Sequence, residues 1–248
     1  MTSLAPPRPA FGSRLVDLEE ILGDPPKIHD WGTPAPISSG LPREAYEHVS
    51  EKIRDGACTL ETGTGISTVL FACKRTHHIC IAPDPVENQR LKEYCAKKGV
   101  SLDRVKFFLE RSERVLVNLE TDPLDLVLID GGHGFPVAFL DFYFTASKLT
   151  VGGTLVIDDI QLWTGRVLTE FLQTEPEWEL EAVFSNKTAF FIKRSSYDPG
   201  KEWVDQPFVV RRSAGTRRFG RLRRVLGYLV RGDVKTIGRK IAEKVRAR

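Results

Sequence analysis

The 248-residue sequence has only four cysteines, and none forms a Cys-x-x-Cys pair or stands at a histidine spacing that suits a metal. Cys58, Cys73, Cys80 and Cys95 fall inside apolar segments. They read as small buried thiols of a reducing, cytoplasmic compartment. No apolar run approaches the length that spans a bilayer. The opening MTSLAPPRPAFG lacks an apolar stretch and does not read as a secretory signal. A dinucleotide fingerprint is also incomplete: after Gly63 and Gly65, Thr68 stands where the third glycine belongs. These gaps argue against a disulfide scaffold, a spanning helix and a pyrophosphate cradle.

What is present fits one sizeable α/β core with extensions. Charge is unevenly spread. Residues 211–248 hold 14 Lys/Arg against Asp233 and Glu243, a local charge of +12, so the other 210 residues carry −9 within a total of +3. Three segments follow: an irregular Pro/Gly/Ser-rich arm over 1–40, a core over 41–196, and a basic amphipathic helical tail over 197–248. The arm holds one short helical stretch, RLVDLEEIL.

From LPREAYEHVSEKIRDG onward, helical and extended patterns alternate. Strands are expected at 58–62, 78–82, 105–110, 125–130 and 154–159, each followed by a helix. WELEAVFS and TAFFIKRS, separated only by NK, read as a closing hairpin. The fold class is therefore a Rossmann-like, seven-stranded, mostly parallel sheet with a C-terminal antiparallel hairpin and helices on both faces.

In such a sheet ligands bind beyond the carboxyl ends of the strands. The segment LETGTGIST puts Gly63 and Gly65 there, where the absence of Cβ lets backbone approach a ligand. A tight strand-to-helix turn accounts for the same residues. Strand four ends in IDGGHGF, with Asp130 and His133, and strand five ends in VIDDIQLW, with Asp158 and Asp159. Three carboxylates on one edge repel unless something positive lies between them, and a hard divalent cation such as Mg²⁺ is one solution. Each acid can instead cap a turn, and His133 can be an ordinary loop histidine.

These motifs resemble the class I S-adenosylmethionine-dependent methyltransferases over about residues 41–195. The resemblance implies that Glu61, Gly63, Gly65 and Ser67 or Thr68 line the cofactor, and that Ser112 meets its adenine or caps the next helix. Ala82 stands where that family has a ribose-holding acid. Asp84 either replaces it or caps the helix behind it. The acids further resemble the metal-dependent O-methyltransferases of catechol and macrocin type. That likeness implies Asp130, Asp158 and Asp159 as Mg²⁺ ligands, with Asp130 also at the cofactor and reacting centre. It implies His133 as general base, in the place of the catechol-type enzymes' lysine.

The expected activity is methylation of a hydroxyl on a small molecule, sugar or glycan. His29, Trp31 and Trp163 are candidates for the acceptor side. Apolar stripes at Phe219, Leu222, Val225, Leu226 and Leu229, and again at Val234, Ile237, Ile241 and Val245, suit an anionic membrane at the inner face. Nucleic acid is a weaker partner for so few aromatics. An RNA methyltransferase using the tail, or a silent cofactor- or membrane-binding module suggested by Ala82, are the alternatives. DGGH in place of an NPPY-like segment speaks against base-amine chemistry.

Overall fold

The computed structural model describes residues 18–30 and 40–214. The chain divides into two units, Met1–Pro199 and Gly200–Arg248. Trp31 and most of the basic tail, with its expected membrane-facing stripes, lie outside the described residues. In the second unit, Trp203–Asp205 form a 3₁₀ turn and residues 207–214 are helical. Among the described residues, no helix is long and apolar enough to cross a membrane.

The first unit begins with α1 (Leu18–Gly23) and α2 (Arg43–Lys52). Then come β1 (Cys58–Thr62), α3 (Ile66–Cys73), β2 (His77–Ile81), α4 (Pro85–Lys98) and β3 (Val105–Phe108). The second half adds α5 (Ser112–Val115), β4 (Leu124–Ile129), α6 (Val137–Ala146), β5 (Leu149–Ile157), α7 (Trp163–Leu172), β6 (Trp178–Phe184) and β7 (Thr188–Lys193). The seven strands form one sheet in the order β3-β2-β1-β4-β5-β7-β6, with β7 running antiparallel to both β5 and β6. This is the Rossmann-like sheet expected from the alternating pattern.

Strand β4 shows why both faces are covered. Leu126 and Leu128 pack with Ala45, Val49, Leu70 and Phe71 of α2 and α3. Their neighbours Val127 and Ile129 point the other way, toward Ala138 and Phe142 of α6 and Leu168 of α7. A strand buried on both faces must be apolar throughout, and Leu124–Ile129 is nearly so. Elsewhere, α1 closes over α3 and α4 through Ile21, Val69, Leu91 and Cys95. All four cysteines are free thiols, and burial pushes Cys73 up to about 11 and Cys95 up to about 12.

Two expectations shift. The segment SERVLVNLE is one short helical turn running into a 3₁₀ turn, not a full helix. Strand five begins at Leu149 rather than 154. Its pairing with β4 breaks between Leu124 and Leu126, and Gly152 adopts φ +86 there, so the glycine pair marks an irregularity inside the strand rather than its start.

Register sets the site. Thr62 of β1 pairs with Ile129 of β4, and Ile129 with Ile157 of β5. Three strands therefore end level, and Gly63, Asp130 and Asp158 emerge side by side. The ladder continues past the strand ends, with Asp130 N donating to Thr62 O at 3.1 Å and Asp158 N to Ile129 O at 3.0 Å. Gly63 has φ +105, and a Cβ there would sit 2.5 Å from the Asp130 carbonyl oxygen. Both the left-handed backbone and the close approach require glycine. Gly63→Ala is expected to cost on the order of 3 kcal/mol in urea unfolding. Gly134→Ala, where a Cβ meets nothing within 4 Å, should stay within about 0.5 kcal/mol of the native protein.

Candidate active site

A cleft of about 570 Å³ opens at the level strand ends, within the range of small-molecule and cofactor sites. One wall comes from the turn after β1 (Thr62, Gly63, Thr64) and the end of β2 (Ile81, Ala82, Pro83). Ser112 of α5 and Val137 of α6 also line it. The opposite side is charged and holds Asp130, His133, Asp158, Asp159 and Lys187. His29 and Glu87 complete the rim, joined by a 2.7 Å bond from His29 Nδ1 to Glu87 Oε1.

Not every expected residue reaches the cleft. Glu61 does not line it: its carboxylate accepts from Ser67 Oγ at 2.6 Å, from Thr68 Oγ1, and from His78 Nε2 at 3.1 Å. His78 Nδ1 bonds Thr59 Oγ1 at 2.9 Å, and the imidazole stacks on Phe71. Glu61 and Ser67 are thus a buried brace that ties the end of β1 to the start of α3. Gly65 also stays out of the lining, and its amide donates to Thr68 Oγ1 at 3.0 Å. The brace shapes the turn so that Gly63 and Thr64 face the ligand space.

Asp84, the candidate for the ribose, is the N-cap of α4. Its Oδ1 accepts from Val86 N at 2.7 Å and Glu87 N at 3.3 Å, which satisfies two free helix-start amides. It does not line the cleft. The carboxylate that does, one helical turn further on, is Glu87. Nothing in the sequence sets Glu87 apart from the other polar residues of α4, and only the fold brings it to the cleft.

The charged side departs most from expectation. Asp158 is not free to hold a metal: Oδ2 is taken by Lys187 Nζ and Oδ1 by Thr188 Oγ1. Both oxygens of Asp159 are engaged as well. Oδ1 accepts from Gln161 Nε2 at 2.7 Å and pairs with Lys187 Nζ at 2.9 Å, while Oδ2 meets His133 Nε2 at 2.9 Å. Among the described residues, Asp130, His133 and Asp159 each bring one candidate ligand atom within 4.8 Å of the others. Mg²⁺ asks for near-octahedral oxygen ligation. With Asp158 and Asp159 already bonded to an ammonium, the expected three-aspartate set does not fit that ion.

These contacts govern protonation. Burial works against the Asp159 carboxylate, but hydrogen bonds from His133, Lys187 and Gln161 hold it well below the ordinary carboxylate range. Burial likewise opposes the Lys187 charge, and the two aspartates more than offset it, leaving its pKa above normal. Asp130 is pushed the other way, well up, by burial and by the neighbouring Asp158, with Lys187 opposing.

The sequence places Lys187 in the NK link of the closing hairpin. Ser185 and Asn186 take φ 52 and φ 50, and Lys187 N bonds Phe184 O at 2.9 Å, a tight turn within the three-residue loop between the paired Phe184 and Thr188. Since Ile157 pairs with Ala189 antiparallel, residues 158 and 159 must lie opposite 188 and 187. That register carries the lysine into the site. Trp163, an acceptor-side candidate, is exposed and does not line the cleft. It stands 6.1 Å from the exposed Phe135 ring, and Thr164 Oγ1 donates to His133 O at 2.8 Å. The start of α7 thereby holds the His133 loop in place.

Residues 60–160 match a family model described as a methyltransferase domain. No curated protein matches by sequence. Among solved structures, cofactor-bound Rv0187 from MTB superposes with TM-score 0.54 at 18% identity, covering 64% of this chain and 84% of that one. The O-methyltransferase TomG from Streptomyces achromogenes, solved with S-adenosylmethionine, gives 0.54 at 16% identity, covering 63% and 82%. An rRNA methylase from Streptococcus thermophilus gives 0.50 at 14% identity, covering 64% and 100%. At such identities the likeness is one of fold. The domain match over residues 60–160 and the shared fold support methyl transfer from S-adenosylmethionine.

Behind the wall, Asp141 of α6 is fully buried and neither carboxylate oxygen meets a hydrogen bond of normal geometry. Burial pushes its pKa up to about 6, only partly offset by the nearby hydroxyls of Ser112 and Thr62. A carboxyl raised in the folded state contributes its stability below the unfolded value and loses it as pH rises through about 6. Asp141→Asn should therefore be more stable than native at pH 8 by on the order of 2–3 kcal/mol, with the gap closing toward pH 4.5. Urea unfolding at the two pH values measures this, and equal differences at both would show that Asp141 is not held neutral.

Proposed function

We propose that this protein methylates a hydroxyl group of a small molecule, sugar or glycan. The observation that carries the reading is the His133–Asp159 pair, set on the charged side of the cleft that the Gly63 turn, Ala82 and Ser112 enclose. Those enclosing residues fit a nucleoside donor: backbone at 62–64 with a glycine turn, apolar Ile81, Ala82 and Val137, and one hydroxyl at Ser112. Glu87, rather than Asp84, is the carboxylate placed to meet a ribose.

When bound, S-adenosylmethionine supplies a methyl group already activated by its sulfonium. The protein's part is then to orient an acceptor and remove its proton. Asp159 accepts from His133 Nε2–H, so the lone pair belongs to Nδ1, for which no hydrogen bond is found among the described residues. Nδ1 takes the hydroxyl proton as the oxygen gains the methyl, and Asp159 stabilises the imidazolium that results. Ser112 and the apolar wall hold the donor, and the braced Glu61–Ser67–Thr68 cluster keeps the glycine turn in shape.

S-adenosylmethionine should bind the full chain in calorimetry, and absence of binding would sink the reading. A mass-spectrometric screen of polyols and glycans should reveal a product about 14 Da heavier, as expected for transfer of a cofactor methyl. With that acceptor, His133→Ala should lower turnover by about 10²–10⁴-fold, while cofactor affinity stays within about threefold. Intact turnover would remove His133 from the role of base. The basic stretch 211–248 is proposed to rest on an anionic membrane surface. Full-length chain should co-sediment with phosphatidylserine vesicles and not with neutral ones, and equal sedimentation would refute this.

A further inference from the structure

The site's positive charge is already built into the chain. Lysine is almost never buried unless paired, yet the Lys187 side chain is 11% exposed and reaches two carboxylates at once. Its placement uses two non-glycine residues at positive φ, Ser185 and Asn186. Its carbonyl is held in turn by Ile160 N at 2.9 Å, so the lysine backbone is fixed to the segment that carries Asp158 and Asp159. The ammonium has three hydrogens. Two meet Asp158 and Asp159, and Lys187 is among the residues that line the cleft.

We propose that the Lys187 ammonium takes the place of a divalent metal: it compensates Asp158 and Asp159, holds Asp159 against His133, and makes methyl transfer metal-independent. This deepens the O-methyltransferase reading and rests on it. One consequence concerns the acceptor. A metal rewards a vicinal diol that chelates through two oxygens, whereas an ammonium with one remaining hydrogen engages a single oxygen. The acceptor class narrows to an isolated hydroxyl, bound without chelation. Lys187 is a positioning residue for the His133–Asp159 pair. Charge balance agrees: Asp158 and Asp159 face Lys187 and an imidazole that becomes cationic during transfer.

The test is a titration of full-length chain with Mn²⁺ alone, read by electron paramagnetic resonance, with and without S-adenosylhomocysteine. Native protein should hold no Mn²⁺ in the cleft up to about 1 mM, the weak end of protein affinities for a hard cation. Lys187→Met leaves Asp158 and Asp159 uncompensated and should gain one Mn²⁺ with affinity raised at least about tenfold. Lys187→Arg, which keeps the cation, should gain none. One Mn²⁺ per native chain that disappears in Asp159→Asn overturns the proposal, as does a Lys187→Met protein, shown folded by its circular-dichroism melt, that gains no Mn²⁺. Should that variant fail to fold, the native and Asp159→Asn titrations decide alone. Because Mn²⁺ is titrated without acceptor, the result stands apart from the calorimetric cofactor test: failure to bind S-adenosylmethionine refutes the methyltransferase reading, not the cation assignment.

Discussion

Gly63 lies against the carbonyl of Asp130 with no space for a side chain between them. That approach exists because β1, β4 and β5 end level, and everything chemical in the molecule hangs from it. Level ends bring a glycine turn, one aspartate and then a pair of aspartates to a single edge within three neighbouring strands. The strand-order reversal between β1 and β4 opens a crevice at the same point, as parallel sheets do. The brace beneath, Glu61 with Ser67, Thr68 and His78, holds the turn from below, so a motif acid that faces away from the ligand space still shapes it.

Bringing three carboxylates together creates an electrostatic debt that a fold must settle. Here Lys187 and Thr188 neutralise and hydrogen-bond Asp158, while Lys187, Gln161 and His133 share Asp159. A carboxylate so fully engaged stays ionised, and a carboxylate without such partners, Asp130, is driven toward its neutral form. The outcome is a cleft with an oriented imidazole and a resident cation on one side and an apolar, glycine-lined wall on the other. That division suits a reaction in which a neutral hydroxyl loses a proton beside a positively charged donor.

The sequence made much of this readable. Strand β1 falls where the apolar run 58–62 put it, and the two-residue NK spacing marked a hairpin that is there. The acidic strand ends mark Asp130, Asp158 and Asp159, with His133 beside them, and all four line the cleft. What misled was local ambiguity. Asp84 before Pro-Val-Glu-Asn carries an N-cap signal and a ribose signal at once, and free helix-start amides at 2.7 and 3.3 Å are its actual partners. The fifth strand, expected from 154, starts at Leu149 and carries Gly152–Gly153 inside it.

Strand and helix periods, the glycine turn and the acidic strand ends are properties of short stretches, because repeating polarity and backbone freedom act between near neighbours. Sequence alone therefore determined the layered sheet and most of the charged residues at its edge. Lys187 lies 28 residues beyond Asp159, and nothing in the NK turn announces where its ammonium goes. Only the antiparallel pairing of β7 with β5 decides that, because register across a sheet is set by the packing of whole strands and not by the residues in the turn. Tertiary structure alone thus decided which cation meets the aspartates.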